Sequence, residues 1–426
     1  LIMNQTNDRQ MVRIQNTLIL FQTKITKDTV QNVDMQGIFN VLLPFATCID
    51  ESAFKKQKTI RYLYAHMLER VEEKAFAECN NIRVVSGDKI SEIEDRAFSN
   101  NFNLQTINVS NVKTLKGYIF NNCALTYLKS RCSAMEETSF RENRQLETLD
   151  FPNLTSFAAF ACRDSDNIQQ IRMPSVQQLD GELPINIQVT ADSPAFLKEG
   201  REVVEQLEPE YKFIGLNRDF LIKQEKDFTH NRILYSPKLA GQITAKLKGI
   251  VLVDQPSIPE NAFEKHYLLQ FVYAPNTEHV LTGAFRDCFF LSRFISNKLT
   301  TVAKEAFHCC NALTKINLEK VTQLGANSFY WCISLTRLVL RNAKIAQKQC
   351  FKDCFSLLNV YTPELLEEDP SAFLGCGIFS RNKFFGCQEP LIDRFRERKQ
   401  LIGRIGGAKR QMKFVQKVVG FKSKDQ

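Results

Sequence analysis

The 426-residue sequence predicts an α/β solenoid: two arrays of 22-residue repeats, with a parallel β-sheet on one face and short helical turns on the other. Three observations lead to that expectation. Phenylalanine recurs every 22 residues at Phe54, Phe76, Phe98 and Phe120, and again at Phe263, Phe285, Phe307, Phe329, Phe351 and Phe373. These anchors sit in Ala-Phe-x-x-Cys groups such as Ala75-Phe76-x-x-Cys79, Ala284-Phe285-x-x-Cys288 and Ala306-Phe307-x-x-Cys310. Apolar residues then follow three, six and eight positions after the Cys, as in Leu313-x-x-Ile316-x-Leu318 and Leu335-x-x-Leu338-x-Leu340.

Each part of the unit has a physical reading. The alternation that ends Leu-x-x-Ile-x-Leu turns two apolar side chains inward and the intervening ones outward, as a short strand does. Phe and Cys three apart share one side of a single helical turn, so both can face one core. An apolar residue usually stands five before the Phe, as Val71, Ile93, Val280 and Val302 do. Phe140 continues the first series after a two-residue deletion, and Cys162 stands in the Phe register one interval later. A unit this small buries its apolar edge only by stacking on copies of itself.

This pattern of Leu-x-x-Ile-x-Leu followed by Ala-Phe-x-x-Cys resembles the BspA-like leucine-rich repeat family over about 40–180 and 247–380. The resemblance implies a leucine-rich repeat solenoid used for binding and adhesion rather than catalysis, often at the surfaces of bacteria and unicellular parasites. Gln57, Asn101, Asn143, Ser165 and His266 replace the Cys, and Pro152 and Pro174 are the main survivors of the family's strand-ending Pro.

The register divides the chain into a strand-rich cap over residues 1–37, a first array over 38–182, an insertion over 183–246, a second array over 247–380 and a tail over 381–426. In the insertion, Phe196, Val203, Val204, Leu207, Tyr211 and Ile214 fall at helical spacing, and Ile233-Leu234-Tyr235 reads as a strand. Charge is just as unevenly placed. The tail has 13 of the 56 basic residues and 4 of the 47 acidic ones, which is the whole net charge of +9. The body is neutral, so the tail alone suggests an anionic membrane surface or a nucleic acid as partner, an alternative to protein binding. No apolar run approaches the roughly 20 residues of a membrane-spanning helix.

Catalytic chemistry finds no recognisable context: there is no nucleophile with a base and orienter, no carboxylate pair and no Gly-rich phosphate loop. The chain is read as a non-enzyme without cofactor, metal or small-molecule substrate. Of 13 cysteines, seven occupy the interior repeat position, where a small apolar side chain suffices. His308-Cys309-Cys310 sets soft ligands side by side, but the register turns Cys310 inward and Cys309 away, against joint ligation. An odd total and interior placement favour reduced thiols and a cytoplasmic location, or the cell surface where a signal precedes Leu1.

What remains is the outward side of the strands. Tyr62, Tyr64, Phe271, Tyr273, Arg337 and Arg341 are the candidate anchors for an unidentified protein partner, since aromatics and Arg dominate interface hot spots. Outward aromatics also serve cross-strand packing, the competing explanation for the same residues.

Overall fold

The apolar residues of each coil fold inward along two strands, and the coils stack in parallel. The computed structural model describes residues 11–183 and 246–377, with 187–190, 195, 203–204, 228–230, 232–236, 239 and 380–381. The Leu-x-x-Ile-x-Leu segments form one ladder, in which Asn40, Tyr62, Val84 and Thr106 are successive partners in the first array. Gly249, Phe271, Arg293 and Lys315 are the equivalents in the second. A second ladder contains the apolar residue five before each Phe, as in Arg70–Val71 on Glu92–Ile93 and His279–Val280 on Thr301–Val302.

The Phe side of the coil departs from the predicted helical turns. Amide donors there alternate in destination. Those of Ala53, Lys55 and Gln57 close tight turns onto Asp50, Ser52 and Phe54. Those of Ser52, Phe54 and Lys56 instead reach the carbonyls of Glu73, Ala75 and Ala77 in the next coil. An α-helix would keep every amide within its own segment, so this inter-coil ladder excludes it. The chain manages the alternation with left-handed residues two before and two after the Phe, such as Lys74 (φ 55°) and Glu78 (φ 61°), or Glu305 (φ 56°) and Cys309 (φ 58°). Each costs about 1–2 kcal/mol for an ordinary residue, offset by the inter-coil bonds beside it. At Gly283 (φ 61°) an added Cβ would also lie 2.2 Å from Asn261 Oδ1. Helical segments among the described residues include Lys27–Gln31, capped by Thr26, and the 3-10 turn Ala159–Cys162, and Ala195 is also helical. None is long and apolar enough to cross a membrane.

The anchor Phe rings are stacked and, apart from the half-buried Phe373 at the end of the second array, fully buried. In the second array, centroids from Phe263 to Phe373 stand 5.1–5.3 Å apart with planes within 13°. In the first, the spacing opens from 5.0 Å at Phe54–Phe76 to 6.2 Å at Phe120–Phe140, across the two-residue deletion. The buried apolar residues form two main cores, one per array, and a small third cluster on the outer sheet face of the second.

Each array begins with an antiparallel hairpin. Met11–Ile14 pairs with Thr17–Leu20, which then runs parallel to Asn40–Leu42. Phe228–His230 pairs with Ile233–Ser236, which runs parallel to Gly249–Leu252. The described strands of the segment read as an insertion extend the sheets: Gln188–Thr190 and Val203–Val204 add to the first, and the strand read at Ile233 adjoins the second. The helix expected over Phe196–Ile214 lies outside the described residues except at Val203–Val204, which is a strand. The basic tail beyond Arg381 also lies outside them.

Candidate binding surface

The six anticipated anchors fall into different environments. Arg337 and Arg341 are exposed, whereas Tyr64 and Phe271 are half-buried. Tyr62 is 2 % exposed and Tyr273 9 %, so neither offers a ring to a partner in this conformation. Tyr62 stands between Asn40 and Val84 in the ladder, both buried as well. Tyr273 joins Ile233 and Val251 in an outer-face apolar cluster against which Phe271 and Ile295 pack. Phe271 lies across Gly249 of the adjoining strand, where an added Cβ would meet the ring at 2.3 Å. These aromatics cover their own sheet. A ring lying over a strand glycine supplies the packing that the glycine lacks.

The two sheet faces treat charge differently. On the first, Lys129, Asp150 and Arg172 are successive partners of alternating sign, with Asp150 accepting from Arg172 at 3.0 Å and standing 3.5 Å from Lys129. On the second, Arg293 pairs with Lys315, and Arg337 holds the same position in the following coil. Like charges on neighbouring strands are unfavourable. The strand ladder stops at Lys315–Ile316 and resumes at Arg337–Leu338, between the two cations. A cleft of about 510 Å³ opens there, lined by Lys315, Asn317, Glu319 and Arg337 on the second array and by Asn16, Phe39 and Arg61 on the other side. Beside it, Arg341 lies 5.5 Å over the Tyr361 ring and 3.8 Å from Glu319.

That both arrays line one cleft follows from how they pack together. Lys58 sits 3.8 Å over Phe355, Phe102 meets Trp331 at 5.8 Å, and Arg144 covers Tyr267 at 5.0 Å. Numbers rise along one array as they fall along the other, so the solenoids lie side by side and antiparallel. The centre of the seam is polar and buried. Asn81 Nδ2 donates to the Ile333 carbonyl at 3.0 Å and to Ser356 Oγ at 3.1 Å, while Ser334 Oγ donates to Asn81 Oδ1 at 3.0 Å. Asn103 Nδ2 donates to Ser334 Oγ at 3.4 Å. At one end, Glu147 accepts from Arg232 at 2.7 Å and Lys248 at 2.9 Å. The sequence signal for this seam was the small polar residue two after the Cys position in Asn81, Asn103, Ser334 and Ser356.

The Cys position itself is more than a small apolar slot. The thiols of Cys79, Cys123, Cys288, Cys310, Cys332 and Cys354 each donate to the carbonyl of the Phe one coil earlier, at 2.8–3.3 Å. Asn101, Asn143 and Ser165 make the same bond, to Phe76, Phe120 and Phe140. The requirement is a compact donor for a buried carbonyl, which explains the substitutions that apolar packing leaves unexplained. Gln57 and His266 stand in the first coil of each array, where no earlier anchor Phe exists. Burial raises these thiols well above their ordinary range, and pushes Cys162, in the Phe register, up to about 12. They are inert at neutral pH.

The BspA type leucine rich repeat region model matches residues 37–126, 69–183 and 256–379, in six copies. The chain belongs to this family. The BspA-type repeats are a generally non-enzymatic class, and they account for both arrays described above. Among solved structures, a leucine-rich repeat protein from Bacteroides ovatus is 15 % identical, covering 87 % of this chain and 92 % of its own, with a TM-score of 0.29. A leucine rich cell surface protein from Faecalibacterium prausnitzii is 16 % identical over 84 % and 94 %, TM-score 0.27. The pneumococcal vaccine antigen PcpA is 14 % identical over 85 % and 78 %, TM-score 0.27. At TM-scores this low the likenesses bear no functional weight, and the family rests on the matched repeats. No curated protein shows significant similarity to the chain.

One feature of this BspA-type protein escapes its repeat pattern. Cys310 faces inward, as its register requires, but Cys309 turns the other way and meets His308 and Asp287. Sequence reasoning considered the His-Cys-Cys triplet and missed Asp287, although it stands one 22-residue interval before Cys309 and the repeat therefore sets it in the adjoining coil at the same position. Burial, with the Asp287 carboxylate nearby, pushes the Cys309 thiol up to about 12.

Proposed function

We propose that this chain is a non-catalytic scaffold that binds a protein partner on the sheet face of its second array, at the cleft beside the first. The observation that supports the reading most is the same-sign column of Arg293, Lys315 and Arg337 at a place where the sheet opens. On the first array's sheet face the column of Lys129, Asp150 and Arg172 alternates in sign. The second array sets three cations in one column, with Glu319 as the acid of the cleft, and an acidic protein surface would be drawn to that excess of positive charge. Arg337 and Arg341, both exposed, remain the anchors of this proposal, with Lys315 added; Tyr62 and Tyr273 leave it because they are buried. The family is typical of surface and adhesion proteins, which agrees with a binding role.

The test is comparative capture from cell extract with the unmodified chain, a Lys315→Glu/Arg337→Glu variant and a Tyr127→Ala variant on the exposed face of the first array. A saturable partner lost with the double reversal, kept with Tyr127→Ala and released by raised salt supports the reading. A partner set unchanged by the double reversal overturns it.

A further inference from the structure

The ligand atoms of Asp287, His308 and Cys309 all lie within 4.8 Å of one another, in two consecutive coils of the second array. Backbone geometry brings them there. The Asp287 amide donates to the His308 carbonyl at 2.9 Å, tying the coils together at that level. Cys309 adopts the left-handed conformation (φ 58°), which directs its thiol away from the core that Cys310 enters. The His308 ring is held flat against Tyr330, 5.0 Å between centroids and 10° between planes.

One ring nitrogen of the imidazole is left over. His308 Nδ1 is buried and has no hydrogen-bond partner among the described residues. It faces Asp287 Oδ1 at 3.8 Å, too far for a hydrogen bond. That separation suits a different relationship. Two ligands of one tetrahedral ion, each 2.0–2.3 Å from it, stand about 3.3–3.8 Å apart. A thiol, an imidazole nitrogen and a carboxylate form the mixed donor set of a borderline-soft ion, and a poor one for magnesium or calcium.

We propose that Asp287, His308 and Cys309 bind a zinc-class divalent cation, with water completing the tetrahedron. On binding, the Cys309 S–H bond breaks, the proton passes to solvent and the sulfur lone pair enters the metal–thiolate bond. Two adjacent coils are thereby joined by side chains in addition to their backbone bonds.

Cobalt(II), titrated into the full untagged chain after chelator treatment and dialysis, tests the site. We expect one Co²⁺ per chain, a thiolate-to-cobalt charge-transfer band, and displacement by Zn²⁺. Cys309→Ser abolishes the band, Cys310→Ser retains it, and Asp287→Asn and His308→Ala each weaken Co²⁺ binding by at least about tenfold. The last two keep the thiol, so they probe the same site if Cys309→Ser impairs folding, which circular dichroism monitors. A wild-type chain with no charge-transfer band, or a band that survives in Cys309→Ser, overturns the proposal.

Discussion

The two arrays use one repeat with different regularity. The second keeps its interval without a slip, and its five successive ring spacings differ by only 0.2 Å, from 5.1 to 5.3 Å. The first loses two residues before Phe140, and its rings drift to 6.1 and 6.2 Å on either side of Phe120. Its donor position is also mixed, with Cys, Asn and Ser, where the second uses Cys from Cys288 to Cys376. A solenoid therefore tolerates chemical change at a position whose role is a single hydrogen bond. A change in coil length is felt further, because every ring stacks on the next.

The largest test of that contrast is ring removal. Phe307→Ala should cost about 4–5 kcal/mol and Phe120→Ala about 3 kcal/mol, because the looser stack has less contact to lose. Urea denaturation of the two variants measures both; equal losses would remove the link between ring spacing and stability. Next comes the seam. Asn81→Ala leaves the Ile333 carbonyl without its buried donor and the Ser334 hydroxyl without its acceptor, and should cost about 2–3 kcal/mol. Hydrogen exchange should then quicken around residues 331–336 of the second array as well as around residue 81. Protection lost in the first array alone would mean that the arrays are energetically independent. The smallest effect is expected at the donor position. Asn101→Ser keeps a donor toward the Phe76 carbonyl and should change stability by less than about 1 kcal/mol, whereas Asn101→Leu orphans that carbonyl and should cost about 1–3 kcal/mol. Equal costs for Ser and Leu would restore the view of this position as an apolar slot.

Much of the coil was legible in advance. Phe76, Phe98, Phe285 and Phe307 announce the stack, and Ile107 or Leu338 announce inward strand positions, because a repeating side chain must meet its own copy in a repeating fold. The left-handed residues were partly legible in Asn100, Asn122, Asp287 and Asp353, types that tolerate that conformation. Reading Phe-x-x-Cys as a helical turn failed because the spacing fixes which side chains share a side, but not where the amides go. The anchors failed where neighbours intervened: Phe271 has Gly249 to cover, and Tyr273 has Val251 and Ile233 beside it.

The sequence by itself determined the coil, its stacking direction and the buried faces of both arrays, since these rest on contacts between equivalent residues one interval apart. Only the tertiary structure decided that the arrays lie antiparallel, that Asn81 meets Ser334 across 253 positions, and that Asp287 reaches Cys309. Asp287 and Cys309 are equivalent residues one interval apart, each two after an anchor Phe, and Asn81 and Ser334 both stand two after the Cys position. The period sets their places within a coil but not which coil of one array faces which coil of the other, nor how closely two outward side chains approach, and only the packed chain brings them within hydrogen-bonding or ligand distance.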